Sequence, residues 1–378
     1  MLTFEEEIER LKPLMDQDAD EAYSFLTPLL TAPVEKPVVL YAAGKTCERV
    51  YKYLLSKGVK VSAVCDRNKR GEFLDSGLSI ISIEELCQNY RNAWIVVCTF
   101  NYSVDAIAEL CECGIREKNI LRATYSTNLA YFSKEEFLSN ASLYQGYKYA
   151  YDLACDDTGK KVVLDVLRKD MTGTHHLTKT SQLPIEWEYF NFDFEEVEVF
   201  VQAGCFIGDT VEEFIKFRGN NPNDVIYTFE GDPINYEISK RNLEKYSNVY
   251  VSKLGLWDKD DILFFSSGRG PRSRVMGFSK DDDGPSLQVT SLDNFFQDKP
   301  HLPTFIELDI EGSEPEALLG AKEILRKAKP KLAICVYHDQ DHLYKIPQII
   351  QSANPDYKRF RFVQTADDAL SDTVLFVD

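Results

Sequence analysis

The chain has 378 residues, enough for two cores of ordinary size, and its 44% hydrophobic and 28% charged residues are the balance of a folded chain. Its net charge of −18 repels phosphate backbones and anionic surfaces, which argues against nucleic acid as a partner. No apolar run approaches the ~20 residues of a membrane span, and the acidic stretch Phe4 to Leu14 lacks the basic and apolar parts of a signal peptide, so a cytoplasmic location is expected.

Residues 1–36 read as a helical lead-in, with Leu11, Leu14, Tyr23, Leu26 and Leu29 as apolar positions before the breakers Pro33 and Pro37. From Pro37 the pattern alternates. A strand from Val38 to Tyr41, a turn at Gly44, a helix to Lys57 and a strand ending before Asp66 are followed by helices near Ile83 to Tyr90 and Val104 to Cys113. Strands from Trp94 to Thr99 and near Asn119 to Arg122 complete a small Rossmann-like domain over 37–125. Residues 126–190 carry Phe132, Phe137, Leu143, Tyr147, Tyr151 and Leu164 at helical spacing and are expected to form a helical bridge, interrupted from Thr172 to Ser181.

A second alternating set fills 191–378. Strands are predicted at Val199 to Val201, Val225 to Phe229, Val249 to Val251, Thr304 to Leu308 and Leu332 to Tyr337. Helices are predicted at Asp209 to Phe217, Ile234 to Lys245 and Pro315 to Lys327. Ile262 to Phe265 reads as part of a hairpin, Ser266 to Pro285 as a polar loop, and Arg359 to Val363 with Thr373 to Val377 as a closing antiparallel hairpin. The expected class is α/β, with two Rossmann-like doubly wound domains. Nine cysteines without paired spacing read as reduced thiols, and Cys111 with Cys113 is too isolated for zinc.

Ligands of such sheets bind beyond the carboxyl ends of the strands, so the residues that follow each strand of the second set are the candidates. The first strand leads into Gly204-x-x-x-Gly208-Asp209-Thr210, a turn where missing side chains and free helix N–H groups admit a ligand, although such turns are as often structural. Glu230, before Gly231-Asp232-Pro233, is placed to accept ribose hydroxyls, or is a solvated carboxylate. Leu256, Trp257 and Asp258 follow the third strand and suit an adenine, with ordinary core as the equal alternative for Trp257.

The fourth strand delivers Asp309, Glu311 and Glu314 around Gly312. Three carboxylates so close need a cation, a ligand hydroxyl or a helix N-terminus, and a helix capped at Ser313 is the structural alternative. The fifth delivers His338, which can serve as a base for a hydroxyl or pair with Asp309. His342 reads as an exposed helix residue. No metal site is expected, since oxygen ligands at Asp309 would suit magnesium but a second committed ligand is not evident.

Taken in order, these segments resemble the FkbM-type methyltransferases, class I S-adenosylmethionine-dependent enzymes often acting on sugar or polyketide hydroxyls. The likeness rests on Val199-Phe200-Val201-Gln202-Ala203-Gly204, Gly208-Asp209-Thr210, Phe229-Glu230-Gly231-Asp232-Pro233 and Ile306-Glu307-Leu308-Asp309-Ile310-Glu311-Gly312-Ser313-Glu314. Thr290-Ser291-Leu292-Asp293 before the last of these, and Lys329-Pro330-Lys331-Leu332 with Val336-Tyr337-His338 after it, extend the likeness. The resemblance implies S-adenosylmethionine as cofactor, held by Gln202, Gly204, Gly208, Asp209, Thr210, Glu230, Gly231, Leu256, Trp257 and Asp258. Catalysis would fall to His338, Asp309 and Glu311, on a small-molecule or glycan hydroxyl. Two positions depart from the family pattern, Gln202 where an acid is usual and Glu307 where a lysine is usual. Loss of one charge-assisted hydrogen bond costs about 1.5–3 kcal/mol, so Gln202→Asp is expected to tighten the cofactor.

An inactive methyltransferase-fold binding or scaffold protein in glycan biosynthesis is the alternative that these departures raise. The first half resembles the small Rossmann-like domains attached to sugar-modifying enzymes, with Tyr41-Ala42-Ala43-Gly44 as its turn and Asp66 at its second strand end. Too few glycines stand around Gly44 for a nicotinamide-dependent oxidoreductase, and a nucleotide site and a docking role stay equally open. Acceptor specificity is expected in Ser266 to Pro285 and in the first domain; self-association into a homo-oligomer also stays open.

Overall fold

The computed structural model describes residues 3–11, 13, 23–31, 36–74, 76–98, 103–122, 134–172, 179–196, 198–265, 275–276, 286–365 and 373–378. Leu14, Pro33, Thr99, Phe132 and most of the stretches 172–181 and 266–285 lie outside the described residues. The chain divides into two compact units, residues 1–139 with 167–176, and residues 140–166 with 177–378. Among the described residues no helix is long and apolar enough to cross a membrane.

In the first unit, β1 (Val38–Tyr41), β2 (Ala63–Cys65), β3 (Gly71–Phe73), β4 (Leu78–Ile81), β5 (Trp94–Val97) and β6 (Ile120–Arg122) form a sheet in the order β3-β4-β2-β1-β5-β6. Every residue of β1 is buried. Val38 and Leu40 enter one apolar core, Val39 and Tyr41 the other, so the strand is covered on both faces, as a continuous Val/Leu run requires. All pairings are parallel except β3 with β4, a hairpin that escaped the sequence reading because Gly71 and Glu72 are exposed and break the apolar run. Tyr23, Leu26 and Leu29 of the lead-in join the first core. The expectation of reduced thiols throughout is corrected at one place. Cys87 and Cys113 form a disulfide, Cα–Cα 5.4 Å, because helices Ile83–Asn89 and Ser103–Glu112 share one core and bring residues 26 positions apart together.

In the second unit, β7 (Val199–Ala203), β8 (Val225–Phe229) and β9 (Val249–Ser252) precede a small sheet of β10 (Gly255–Leu256), β11 (Asp261–Phe265), β12 (Val275–Met276) and β13 (Ser286–Thr290), ordered β10-β13-β11-β12. The main sheet then gains β14 (Phe305–Leu308), β15 (Lys331–Cys335), β16 (Phe360–Gln364) and β17 (Thr373–Val377), in the order β16-β17-β15-β14-β7-β8-β9. Only β17 runs antiparallel, slotting between β15 and β16 to close the sheet as the hairpin pattern predicts. The strand order reverses between β7 and β14. The stretch expected as a bridge contributes helix Ala141–Leu153 to this unit, where Tyr149 Oη donates to Gln351 Oε1 at 2.7 Å and the Tyr344 ring sits against Gly146.

The single helix expected from Pro315 to Lys327 is two, Glu314–Leu319 and Lys322–Lys327. A remote side chain caps the second: Asp293 accepts from Glu323 N and Ile324 N, both at 3.0 Å.

Phe305, the first residue of β14, stacks on Phe200 of β7 at 4.7 Å between ring centroids and meets Phe190, Phe192, Phe194 and Phe214. Such a wholly buried ring has no room to be replaced by collapse of its neighbours. Phe305→Ala is expected to lower unfolding stability by about 3–5 kcal/mol, and urea unfolding followed by circular dichroism checks it; a loss near zero would mean that the cluster does not support the sheet.

Candidate active site

The strand order reverses between β7 and β14, and beyond the carboxyl ends at such a point doubly wound sheets form their ligand crevice. Gly204, just beyond β7, has φ 89°, and a Cβ there would stand 1.8 Å from the Asp309 carbonyl oxygen. Glycine is demanded by the neighbouring strand, whatever the ligand. The turn is held by backbone bonds: Gly204 N and Cys205 N donate to Phe229 O at 3.2 and 3.1 Å, and Gly208 N donates to Cys205 O at 2.7 Å. Helix Asp209–Phe217 then starts from a left-handed Gly208, with Asp209 exposed and accepting from Thr210 N at 3.1 Å.

Glu230 joins this turn. Its Oε2 accepts from Phe206 N and its Oε1 from Asp232 N, each at 2.7 Å, while Asp232 caps helix Pro233–Leu243 through Ile234 N and Asn235 N. A carboxylate has about four acceptor positions, so these two bonds orient Glu230 without exhausting it. Burial raises its pKa to about 7 against the pull of those N–H groups.

Gly231 and Gly255 both face Leu287, which draws the small sheet up to the end of β8. Leu256 is buried there, and Trp257 packs on Leu263, Leu287 and Val289 while its N donates to Thr290 O at 2.9 Å. Both are used as core of the small sheet, and Asp258 is exposed.

Gln202 and Glu307 are partners. They face each other in the β7–β14 register. The Gln202 amide is 1% exposed, its Nε2 donating to Gly204 O at 3.0 Å and its Oε1 accepting from Thr228 Oγ1 at 2.5 Å. Glu307 is wholly buried, and burial followed by the charge of Asp309 drives its pKa well above the carboxylate range, so it is neutral. Gln202 therefore braces the turn from beneath. An aspartate at this position would lose the bond to the Gly204 carbonyl and bury a charge beside Glu307.

Above this neutral pair lies a charged cluster. Asp309 accepts from Tyr189 Oη at 3.1 Å and from Tyr337 Oη at 3.2 Å, and its Oδ1 stands 3.3 Å from His338 Nε2. Glu311, at φ 56°, brings its Oε2 within 3.8 Å of the same nitrogen. On the other side of the ring, Nδ1 lies 2.8 Å from Glu314 Oε1, which also accepts from Ile310 N at 2.9 Å. Ser313 occupies the N-cap position of Glu314–Leu319 without a side-chain bond, so the capping alternative is not realised through it.

Burial alone would strip the proton from His338, but the charge of Glu314 and the contacts with Asp309 outweigh it and lift the pKa to about 11. Burial likewise opposes ionisation of Asp309, and His338 outweighs it, holding Asp309 below its ordinary value. His338 is thus an imidazolium at neutral pH, with no free ring nitrogen to take a proton, and Asp309 is the ionised group beside it. His342, read as exposed, is buried: the helix His342–Ala353 packs on Glu314–Leu319 and sets His342 Nδ1 3.4 Å from Glu314 Oε2. Tyr189 was missed, since an aromatic in a turn well ahead of β7 carries no positional signal for a site.

Residues 185–361 match the family model of the methyltransferase FkbM domain. The second unit carries a methyltransferase FkbM domain. A solved methyltransferase FkbM from Methylobacillus flagellatus KT is similar over 96% of this chain and 99% of its own, at 20% identity and TM-score 0.56. Weaker likenesses include an O-methyltransferase from Bacillus cereus in complex with SAH, at 14% identity and TM-score 0.34 over 61% of this chain and 94% of that one. Another is Aeropyrum pernix fibrillarin with natively bound S-adenosyl-L-methionine, at 10% identity and TM-score 0.35 over 53% and 75%. No curated protein matches the sequence. The FkbM domain is thus built as a doubly wound class I methyltransferase fold with a closing antiparallel hairpin.

Because its space is taken by the Asp309 carbonyl, Gly204→Ala is expected to cost the FkbM domain at least about 2–3 kcal/mol. Chemical unfolding reads this directly, and wild-type stability in the variant would contradict the close passage of the two strands.

Proposed function

We propose that the protein is an S-adenosylmethionine-dependent O-methyltransferase acting on the hydroxyl of a sugar or glycan-related acceptor. The observation that carries this reading is the tie between Glu230 and the turn through Phe206 N, which sets an oriented carboxylate with spare acceptor capacity beside the N-terminus of helix Asp209–Phe217. That arrangement fits a nucleoside: Glu230 would accept the ribose hydroxyls, and the turn from Gly204 to Thr210 would receive the amino-acid end. When bound, the cofactor supplies a methyl group on a sulfonium, which is already activated for transfer.

The chain's own tasks are then to align the acceptor and to take its proton. Asp309 is ionised and faces the crevice end of β14, and Tyr189, Tyr337 and His338 hold its carboxylate in place. A weak base suffices where the leaving group carries the driving force. Glu311 and His338 border the same space and would orient the acceptor hydroxyl. The net charge of −18 favours a neutral or cationic acceptor over a phosphorylated one. Titration calorimetry with S-adenosylmethionine and S-adenosylhomocysteine tests the reading, and no heat with about millimolar ligand would sink it.

The pKa of Glu230 gives a pH signature. Hydroxyls donate to the ionised carboxylate, so ligand binding favours proton release from Glu230, and affinity is full above about pH 7 and declines below it. S-adenosylhomocysteine is expected to bind up to about tenfold more weakly near pH 6 than near pH 8, with Glu230→Gln flattening the profile; a flat wild-type profile would remove Glu230 from the site. Asp309→Asn is expected to lower kcat by about a hundredfold or more while leaving homocysteine-analogue affinity unchanged, measured by turnover and calorimetry on one preparation.

A further inference from the structure

We infer that Glu314 is a positioning residue of the crevice, anchoring the His338 ring from behind against Asp309. The inference rests on the methyl-transfer reading, in which Asp309 takes the acceptor's proton. The Glu314 side chain is 0% exposed, and its Oε1 lies 2.8 Å from His338 Nδ1. Across the ring, Nε2 faces Asp309 Oδ1 at 3.3 Å and Glu311 Oε2 at 3.8 Å. The ring is thus gripped from two sides. The inner grip is the shorter and the drier, since 28% of the Asp309 side chain is exposed. The same Oε1 accepts from Ile310 N at 2.9 Å and from Gly312 N at 3.3 Å, so the loop that carries Glu311 is folded around Glu314 as well.

Holding the loop needs only an acceptor, which a glutamine would supply equally. Holding His338 as a cation needs a charge. A buried ion pair is weak evidence for stability, because well-packed apolar residues of similar volume often serve a fold as well. This pair instead stands where charge has a use, between the start of helix Glu314–Leu319 and the stretch just beyond β15.

The titratable groups around His338 are Asp309 of β14, Glu311 of the loop, Glu314, His342 of helix His342–Ala353, and Tyr337 and Asp339 on its own stretch. Tyr337 turns its hydroxyl to Asp309 Oδ1, and Asp339 Oδ2 lies 3.8 Å from His342 Nε2. Burial holds the pKa of His342 below its ordinary value, so this ring, 3.4 Å from Glu314 Oε2, brings no competing positive charge. Burial also favours a neutral His338, and the charge of Glu314 is the foremost influence against it, ahead of the contact with Asp309. The effect then passes to Asp309, whose carboxylate is kept ionised against burial by the adjacent imidazolium. Orientation of a reacting group through an imidazole by a third, buried group is a general device of such sites.

The test is an NMR titration of the ring nitrogens in the full chain labelled with 15N-histidine, the His338 signals being those lost in His338→Gln. In wild type both His338 nitrogens are expected to stay protonated from about pH 5.5 to about pH 9. Glu314→Gln keeps an acceptor and removes the charge, and is expected to bring the midpoint down to about 6–8. Glu314→Asp is expected to restore a protonated ring at neutral pH, and the exposed control Glu323→Gln to change nothing. A merely structural Glu314 would leave the ring's titration unmoved. Asp309→Asn, at a partly exposed position, is expected to keep the ring protonated at about pH 8, and it decides the matter where Glu314→Gln does not fold. A wild-type His338 that titrates near its ordinary value of about 6.5, one that stays protonated in folded Glu314→Gln, or one released by Asp309→Asn overturns the inference. Calorimetry with S-adenosylhomocysteine on the same wild-type preparation separates the two readings. Heat with a titrating His338 overturns the anchor alone, and a ring released only by Glu314→Gln, without heat, supports the anchor while removing the methyl-transfer reading.

Discussion

Strands β7 and β14 stay paired to their last residues because Gly204 has no side chain where the Asp309 carbonyl passes. This contact links the two halves of the crevice. On one side, the turn beyond Gly204 is pinned to Phe229 and, through Phe206 N, to Glu230; on the other, Asp309 leads into the loop that carries Glu311 and Glu314. A side chain at Gly204 would push the strands apart and move every polar group that faces the crevice.

Charge is arranged in layers around that contact. Beneath it, Gln202 and Glu307 are polar but neutral, a pairing that the low-dielectric sheet interior tolerates better than an isolated ion. At the mouth, where some water reaches, the carboxylates of Asp309 and Glu311 surround His338. Glu230 stands apart, held near neutrality by burial and aimed by two backbone N–H groups. The chain thus keeps its ionised groups at the strand ends and neutral ones within the sheet.

Much of the fold was legible because its strands are short apolar runs between glycine, proline and polar turns, a local property. Val199–Ala203, Val225–Phe229 and Thr373–Val377 lie where the pattern put them. Elements held by remote partners were harder. The helix expected from Pro315 to Lys327 is two, the second capped by the remote carboxylate of Asp293, the hairpin Gly71–Phe73 with Leu78–Ile81 lacks a continuous apolar signal, and the Cys87–Cys113 disulfide depends on two helices sharing a core. His342 illustrates the same limit: its burial is set by the helix it packs against, which no local pattern reveals.

The turn from Gln202 to Thr210, together with Glu230, Asp309, Glu311 and His338, was marked by sequence alone, because strand ends are where a doubly wound sheet must place its ligands. What each group does there was decided only by the tertiary structure. Gln202 and Glu307, 105 positions apart, read as two separate departures from a family pattern, yet strand register makes them one neutral pair. His338 read as a base, and the carboxylates brought around it by β14 and the following helix make it a cation instead. The reason is the same in both cases: protonation depends on burial and on charges within a few ångströms, and those neighbours come from other strands.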